Sequence, residues 1–448
     1  MTTLNATHDP ALRSWVPSAN RVDVDFPLQN LPFGVFRPKG QAGRGRCCVA
    51  IGDQVLDLSQ VALRLSGTAQ AAAAACQAPL LNPLMACEAA ALSALRAQLS
   101  AGLSESADAA TVHALRAALL PMAEVDLLLP WQVAGYTDFF ASIHHATNAG
   151  RLFRPDQPLL PNYKHVPIAY NGRANSVRVS GEPVIRPNGQ GRPASPEGMP
   201  TFGPAQRLDH EVELGLVVGR GSRIGEPIPV ADAWQHVFGF CLLNDWSARD
   251  IQVWEYQPLG PFLAKSFATS VSPWIVTAEA LAPFRTPAAA RDANDPLALP
   301  YLRDARDQAS GGLALTIEAS LSSQTMRAAG HAPLRLSRSD AATLYWTFAQ
   351  MVCHHTSNGG ALDTGDLLGS GTISGADDSA LGSLLEISAG GSRPLLLPGG
   401  EQRVFLQDGD EIALSGHCEK TGHRRIGFGE CRALLLPARE LVHTAIPA

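Results

Sequence analysis

Two glutamates, Glu211 and Glu213, lie two residues apart in the alternating polar and apolar run 208–218. Residues at this spacing on a β-strand point to the same face, so the two carboxylates are expected to lie side by side. Like charges at close range resist joint ionisation, and a hard divalent cation would neutralise them. An edge strand with a water-facing side is the commoner origin of an isolated Glu-x-Glu, so the metal hypothesis depends on residues elsewhere.

A second polar group holds Asp138, His144 and His145 within eight residues of one another. An imidazole titrates near neutral pH, so either histidine could act as a general base. A hydrogen-bonded loop histidine with no chemical role is the alternative for either one taken alone.

A third group begins at Asp245, directly after an apolar stretch. If a helical turn begins there, Arg249, Gln252 and Tyr256 fall on one face of it. Together with Lys265, Arg249 and Gln252 could stabilise an oxyanion in a dry site. The alternative is an N-capping aspartate with a surface ion pair.

A fourth group combines the glycine-rich run 368–375 with Glu386, a charge inside the apolar run 384–388. Glycines allow close approach of the backbone to a ligand, and a charge in an apolar run needs a partner. A simple turn and an exposed strand position are the alternatives.

The acidic residues of these groups form one candidate ligand set. Asp138, Glu211, Glu213 and Asp245 offer four carboxylates and no soft donor. Such a set favours Ca²⁺, Mg²⁺ or Mn²⁺ over zinc or copper.

The composition narrows the class of protein. The 448 residues are 46% hydrophobic and 17% charged, as expected for a well-buried enzyme of two or three domains. The net charge of −6 and the lack of a basic cluster argue against nucleic-acid binding. No secretory signal pattern, membrane-length apolar run or Cys-x-x-Cys occurs, so we expect a cytoplasmic protein without a membrane partner, a zinc site or disulfides.

Short β-type runs separated by glycine, proline and asparagine dominate from residue 134 onward. They predict a mainly β, α+β fold rather than a doubly wound sheet, with a domain boundary near 122–133. Other expected elements are a hairpin over 47–58 turning at Gly52-Asp53, helices from Asn82 to a stop at Gly102, over 109–120 and over 340–354, and a strand at 384–388.

At these motifs the chain resembles the fumarylacetoacetase family, and the likeness runs through nearly the whole sequence. The motifs that carry it are Phe33-Gly34-Val35-Phe36, Ala50-Ile51-Gly52-Asp53-Gln54, the run 244–252, the run 258–263, the run 370–375 and Arg425-Ile426-Gly427-Phe428-Gly429. The resemblance implies an SH3-like N-terminal domain with a helical insert over residues 1–130, a catalytic β-roll domain over 131–448 and a homodimer.

The resemblance also implies roles for individual residues. Asp138, Glu211, Glu213 and Asp245 match metal ligands, and Lys265 and Thr269 match positions beside a second, magnesium-type ion. His145 matches the catalytic base, Glu386 the residue that orients it, and Arg249, Gln252 and Lys265 the oxyanion-stabilising group. Substrate contacts are expected at Phe140, Arg154, Tyr170, Gln252, Tyr256 and Thr372. The cofactor would be Ca²⁺ or Mg²⁺, or both, with Mn²⁺ as an alternative.

Two positions depart from the family pattern. Phe140 stands where a tyrosine is usual, so one hydroxyl contact to substrate would be missing, and Gly135 stands where an aspartate is usual. The implied activity is metal-dependent hydrolysis of a carbon–carbon bond in fumarylacetoacetate, a diketo acid of tyrosine and phenylalanine breakdown. A related diketo-acid hydrolase such as a fumarylpyruvate hydrolase, a 2-oxo-acid decarboxylase, or a non-catalytic binding protein are the alternatives.

Overall fold

The computed structural model describes residues 4–440, so the ends of the two expected domains, 1–3 and 441–448, lie outside the described residues. The N-terminal part forms a five-stranded sheet in the order β4-β3-β2-β1-β5. Its strands are β1 (Phe33–Pro38), β2 (Arg46–Ile51), β3 (Gln54–Asp57), β4 (Leu119–Pro121) and β5 (Val125–Leu128). Its helices are α1 (Leu58–Val61), α2 (Ala69–Ala75), α3 (Asn82–Met85), α4 (Ala89–Leu103) and α5 (Ala109–Arg116).

The predicted hairpin is confirmed, because β2 and β3 pair antiparallel with Ile51 opposite Gln54. The prediction that one helix runs from Asn82 to a stop at Gly102 is wrong. The chain breaks between α3 and α4, and Gly102 lies inside α4, where a Cβ would come within 2.8 Å of Leu115 on α5. The end of α4 at Leu103 agrees with the predicted stop to within one residue, and the missing side chain of Gly102 also permits close packing of α4 against α5.

The remaining chain forms larger sheets. Its strands are β6 (Tyr136–Phe139), β7 (Ala169–Asn171), β8 (Val177–Val179), β9 (Val184–Ile185), β10 (Asn188–Gly191), β11 (Thr201–Pro204), β12 (Leu208–Asp209), β13 (Val212–Val218), β14 (Val237–Asp245), β15 (Ser247–Ala248), β16 (Thr269–Val271), β17 (Val276–Thr277), β18 (Arg285–Thr286), β19 (Gly312–Leu313), β20 (Thr316–Ser322), β21 (Leu334–Asp340), β22 (Leu367–Gly369), β23 (Leu395–Leu396), β24 (Gln402–Arg403), β25 (Glu411–Cys418) and β26 (Ile426–Leu436). Its helices are α6 (Ile143–Phe153), α7 (Arg249–Glu255), α8 (Ala305–Ser310), α9 (Gln324–Ala328), α10 (Phe348–Thr356) and α11 (Leu384–Ile387).

Two sheets organise this part. An eight-stranded sheet has the order β7-β6-β22-β13-β14-β16-β8, with β17 also on β14, and a five-stranded sheet has the order β21-β20-β25-β26-β9. β13 and β14 are buried along their whole lengths, so their polar residues depend on partners within the protein.

Two further predictions are corrected. Residues 384–387 form helix α11 rather than a strand, because Ser383 accepts a hydrogen bond from the Glu386 N–H and caps the helix. Helix α10 begins at Phe348 rather than near Asp340, since Thr347 and Gln350 form a capping box there. Short apolar runs do not distinguish strand from helix by pattern alone.

The two parts are joined directly, since Phe33 on β1 and Ile275 exchange backbone hydrogen bonds of 3.0 and 2.8 Å. The predicted mainly β, α+β class, with a small N-terminal domain before a larger sheet domain, is confirmed. Among the helices within residues 4–440, none combines the length and the apolar character that crossing a membrane requires.

Candidate metal centre and active site

Four acidic residues on or directly beside strands β6, β13 and β14 of one sheet converge at one point. Asp138, Glu211, Glu213 and Asp245 each offer one carboxylate oxygen, and these oxygens all lie within 4.8 Å of one another. All four side chains are buried. The acidic residues singled out from the sequence therefore come together in space.

The sheet explains this convergence. Glu213 on β13 lies opposite Leu243 on β14, and Asp245 is two residues further along β14, so the two carboxylates share one face. β22 lies between β6 and β13, and Gly369 on β22 pairs with Asp138. A Cβ on Gly369 would lie 2.3 Å from the Asp138 Oδ1 and 3.0 Å from the Glu213 Oε2. The missing side chain is what lets these carboxylates meet.

Glu213 lacks internal compensation. It has no exposed surface, and neither carboxylate oxygen has a hydrogen-bond partner among the described residues. Burial, together with the nearby charges of Asp138 and Asp245, raises the pKa of Glu213 well above its ordinary value. Burial and Asp245 likewise raise the pKa of Asp138.

Two cations offset part of the negative charge. The Lys265 ammonium donates to Glu211 Oε2 and, at 2.7 Å, to Asp245 Oδ2, while Arg249 Nη2 lies 2.8 Å from Glu211 Oε1. Burial alone would raise the pKa of Glu211, but Lys265 and Arg249 outweigh it and hold that pKa below its ordinary value. Burial alone would lower the pKa of Lys265, and here Asp245 and Glu211 outweigh it, so the ammonium stays charged.

The negative charge that Lys265 and Arg249 do not offset is suited to binding a hard divalent cation. The cluster offers only oxygen ligands, its Glu213 oxygens are unsatisfied, and Gly369 leaves room between two of its carboxylates. Unpaired buried carboxylates are costly, whereas Ca²⁺ and Mg²⁺ take such ligands. The residues present therefore fit the ion class expected from the sequence.

His145 adjoins the cluster. Its Nδ1 lies 2.7 Å from Glu386 Oε2, and its Nε2 lies 3.9 Å from Glu211 Oε1. Ser142 caps helix α6 by accepting from the His145 N–H, which fixes the backbone that carries the imidazole. His145 thus has one ring nitrogen held and the other directed toward the acidic cluster.

Glu386 is fully compensated. Asn148 donates to its Oε1 at 2.9 Å, and the hydroxyls of Ser374 and Ser383 both donate to its Oε2 at 2.9 Å. Burial alone would raise the pKa of Glu386, but His145 and these donors lower it to about 2. The group is therefore a fixed anion beside the imidazole.

Arg249 is held by an aspartate that sequence reasoning missed. Asp209 has no exposed surface, and its Oδ2 accepts from the Arg249 Nε at 2.9 Å. The same carboxylate accepts from the backbone N–H groups of Leu384 and Leu385 at 2.7 and 2.9 Å. Asp209 lies two residues before Glu211. The two-residue spacing that indicates a shared face for Glu211 and Glu213 could therefore have pointed to Asp209 as well.

The other predicted residues lie at varying depth around the centre. Tyr170 donates its hydroxyl to Asp245 Oδ2 at 2.6 Å, and Thr269 donates to Asp245 Oδ1 at 3.3 Å. Arg249 Nη1 donates to Gln252 Oε1 at 3.1 Å. The ring of Phe140 meets the His145 ring edge-on, with centroids 5.4 Å apart.

Three predicted substrate contacts make no hydrogen bond or ion pair with the four clustered carboxylates within residues 4–440. Thr372 is buried in the glycine-rich segment, Tyr256 follows helix α7, and Arg154 follows helix α6 and donates to the Pro158 carbonyl at 3.2 Å. No role was predicted for Asn148, Ser374 or Ser383, since polar residues in loops and on helix faces carry no distinctive pattern of their own.

Known proteins match the chain over nearly its full length. The model for the fumarylacetoacetase N-terminal domain matches residues 29–130, and that for the fumarylacetoacetate hydrolase C-terminal domain matches residues 135–435. The fumarylacetoacetase of Bos taurus is 44% identical over 429 residues, covering 95% of this chain and 99% of its own length. The fumarylacetoacetase of Arabidopsis thaliana is 43% identical over 421 residues, covering 93% and 97%.

A solved structure, the fumarylacetoacetate hydrolase of Exiguobacterium antarcticum, matches with a TM-score of 0.49 and 18% identity, covering 91% of this chain and 100% of that chain. The family models and the full-length relatives carry the assignment. The chain belongs to the fumarylacetoacetate hydrolase family.

Proposed function

We propose that the chain hydrolyses the carbon–carbon bond of fumarylacetoacetate to give fumarate and acetoacetate. The observation that carries this proposal is the imidazole of His145, held at Nδ1 by Glu386 and directed at Nε2 toward the acidic cluster. Similarity over nearly the full length to fumarylacetoacetases supports the choice of substrate.

Asp138, Glu211, Glu213 and Asp245 would hold the ion, Ca²⁺ or Mg²⁺ with Mn²⁺ as an alternative. When bound, the ion would supply Lewis-acid polarisation of substrate oxygens. Lys265 and Thr269 would lie beside a second ion. A protonated ammonium has no lone pair, so Lys265 would stand beside an ion rather than ligate it.

His145 would take a proton from water at Nε2, so that the oxygen of that water adds to the carbonyl under attack. Glu386 would hold Nδ1 protonated and stabilise the imidazolium, because the carboxylate accepts from Nδ1 and remains ionised. Reaction of water at one carbonyl splits the diketo acid into two carboxylic products, one of which leaves as an enolate and is protonated.

Arg249, Gln252 and Lys265 would stabilise the oxyanion formed on addition of water. Asp209 fixes the guanidinium of Arg249, and Arg249 in turn binds the Gln252 carbonyl oxygen, which leaves the Gln252 amide nitrogen as the donor. We assign Phe140, Arg154, Tyr170, Gln252, Tyr256 and Thr372 to substrate binding.

A homodimer, a cytoplasmic location and a domain division between residues 130 and 131 stay predictions.

Purified protein should be assayed with fumarylacetoacetate by loss of the diketone absorbance and formation of fumarate. We expect turnover that a chelator abolishes and added Mg²⁺, Ca²⁺ or Mn²⁺ restores. Fumarylpyruvate should be compared in the same assay, because Phe140 leaves a related diketo acid as the rival substrate. Faster turnover of fumarylpyruvate, or full activity after metal removal, would overturn the proposal.

A further inference from the structure

A cavity lies between the N-terminal helices and the sheet domain, away from the acidic cluster. Its volume is about 470 Å³, and its walls include Met85 and Leu92 from the helices and Phe238 near the start of β14. Asp245 lies at the other end of the same nine-residue strand. A strand rises about 3.3 Å per residue, so the backbones of Phe238 and Asp245 are roughly 20 Å apart along the strand.

The walls combine apolar surface with two opposite charges. Leu31, Phe33 and Leu99 add to the apolar lining, and the cavity has the size typical of small-molecule sites at domain interfaces. Arg96 and Glu279 line the same space. An apolar wall with a small number of charged groups is the usual composition of a small-molecule site.

Arg96 is buried without an anion in contact. Its guanidinium donates to the Thr7 hydroxyl at 2.9 Å and to the carbonyls of Asn30 and Gln29 at 2.6 and 2.5 Å. Burial lowers the pKa of Arg96 to about 10, with Glu279 acting in the opposite direction. These neutral partners leave the positive charge incompletely compensated, so a carboxylate would be favourable beside it.

Glu279 presents the complementary charge. Its Oε1 accepts from the Asn5 amide at 2.7 Å and from the Ser93 hydroxyl at 2.9 Å. Within residues 4–440, Arg96 and Glu279 form no ion pair with each other or with another residue within 4.0 Å. At the rim, by contrast, Arg220 and Glu88 neutralise each other at 2.7 Å.

We infer that this cavity binds a free α-amino acid with a large apolar side chain, its carboxylate toward Arg96, its ammonium toward Glu279 and its side chain on the apolar wall. A zwitterion satisfies both separated charges, whereas a simple carboxylate or amine satisfies one. The site is separate from the proposed hydrolysis and does not depend on it.

The test uses the full-length, metal-loaded protein and isothermal titration with L-phenylalanine, L-leucine and L-methionine. We expect at least one to bind at one site per chain. For L-phenylalanine, the analogues that lack one charge, 3-phenylpropionate and 2-phenylethylamine, should bind at least about tenfold more weakly, as lost hydrogen bonds to charged groups imply.

Two matched variants on α4 test whether the amino acid binds in this cavity. Ala90 and Ala97 are both exposed alanines, but only Ala90 lines the cavity. Ala90→Trp should reduce amino-acid affinity at least about tenfold by filling the space, and Ala97→Trp should leave it unchanged. Glu279→Gln should bring the affinity for L-phenylalanine down to that for 3-phenylpropionate.

Cys87 gives an independent readout, because it lines the cavity and is half-buried while the other seven cysteines are buried. A saturating amino acid should slow its reaction with a maleimide at least several-fold. Absence of binding by all three amino acids, equal binding of the single-charge analogues, or unchanged affinity in Ala90→Trp would overturn the inference. Turnover of fumarylacetoacetate is measured separately, so failure of either proposal is distinguishable from failure of the other.

Discussion

Glu213 and Glu386 are both buried within the same site, yet their surroundings are opposite. Glu386 accepts hydrogen bonds from His145, Asn148, Ser374 and Ser383, and its pKa falls to about 2. Glu213 accepts none from the described residues, and burial beside two aspartates raises its pKa. The protein supplies hydrogen-bond donors to the Glu386 carboxylate but none to Glu213, whose charge we propose a divalent cation neutralises.

The two carboxylates are suited to different roles. A carboxylate whose oxygens are fully hydrogen-bonded can hold an imidazole in one tautomer without a metal, whereas one without hydrogen bonds is free to bind a metal ion. Replacing Glu386 should therefore lower kcat, and replacing Glu213 should lower metal affinity.

The largest expected effect is on turnover when the held imidazole is removed. His145→Ala should lower kcat by about 10³-fold, within the range for loss of a general base. Metal affinity should stay within a few-fold of wild type, as measured by calorimetric titration. Near-normal turnover would remove His145 from the role of base.

Glu213→Gln should lower the affinity for the divalent ion by at least about 100-fold, since even residues behind metal ligands contribute 10–100-fold. The metal-free variant should be more stable than metal-free wild type, because an uncompensated buried carboxylate is replaced by a neutral amide. Calorimetry and thermal melts check the two effects, and a loss of stability in the metal-free variant would contradict the account.

Glu386→Gln should lower kcat about 10- to 100-fold while leaving metal affinity unchanged. The amide no longer stabilises an imidazolium, and its NH₂ group cannot accept from His145 or the serines. An equal decrease in metal affinity in the Glu213 and Glu386 variants would contradict the proposal that Glu213 binds the metal and Glu386 does not.

The pH dependence of stability should also differ between metal-free and metal-loaded protein. The raised pKa values of Asp138 and Glu213 mean that the folded state without metal binds more protons than the unfolded chain above the ordinary values of 3.8 and 4.5. Its stability should therefore fall as pH rises above about 4.5. Bound metal should suppress this fall, so the metal-induced rise in Tm should grow with pH.

This contribution can be isolated by subtracting the Tm profile of metal-free Glu213→Gln from that of metal-free wild type. As the pH rises, the Tm of wild type should fall below that of Glu213→Gln by an increasing amount that reaches several degrees. A difference that is constant with pH would show that Glu213 is ionised throughout.

The smallest expected effect is at Phe140, whose ring packs edge-on against His145. Phe140→Tyr should lower KM for fumarylacetoacetate by less than about tenfold, the size of one net hydrogen bond, with kcat little changed. Steady-state kinetics check this. A large loss of kcat would show that the hydroxyl disturbs the imidazole instead of reaching substrate.

Local features were the most predictable from the sequence. The hairpin at Gly52-Asp53 follows from turn chemistry, and the proximity of the Glu211 and Glu213 carboxylates agrees with the two-residue repeat of an extended chain. The convergence of Glu211 and Glu213 with Asp138 and Asp245 depends on the order of strands in the sheet, which periodicity does not specify. The family resemblance is what predicted this four-carboxylate set.

The failures have physical causes. The apolar run 384–388 fits strand or helix equally, and the Ser383 cap together with the N–H groups bound by Asp209 decide for helix. The expected single helix from Asn82 is in fact two, α3 and α4, although its predicted stop at Gly102 is correct to within one residue. At Gly135, a Cβ would lie 2.9 Å from Asp366 Oδ1, so the aspartate usual in the family would crowd a second carboxylate there.

The most direct test is a Mn²⁺ titration of chelator-treated protein, followed by electron paramagnetic resonance, in wild type, Glu213→Gln and Glu386→Gln. The account predicts one tightly bound ion at the four-carboxylate cluster in wild type and in Glu386→Gln, and loss of that tight site in Glu213→Gln. Retention of the same affinity in Glu213→Gln, or its loss in Glu386→Gln alone, would contradict it.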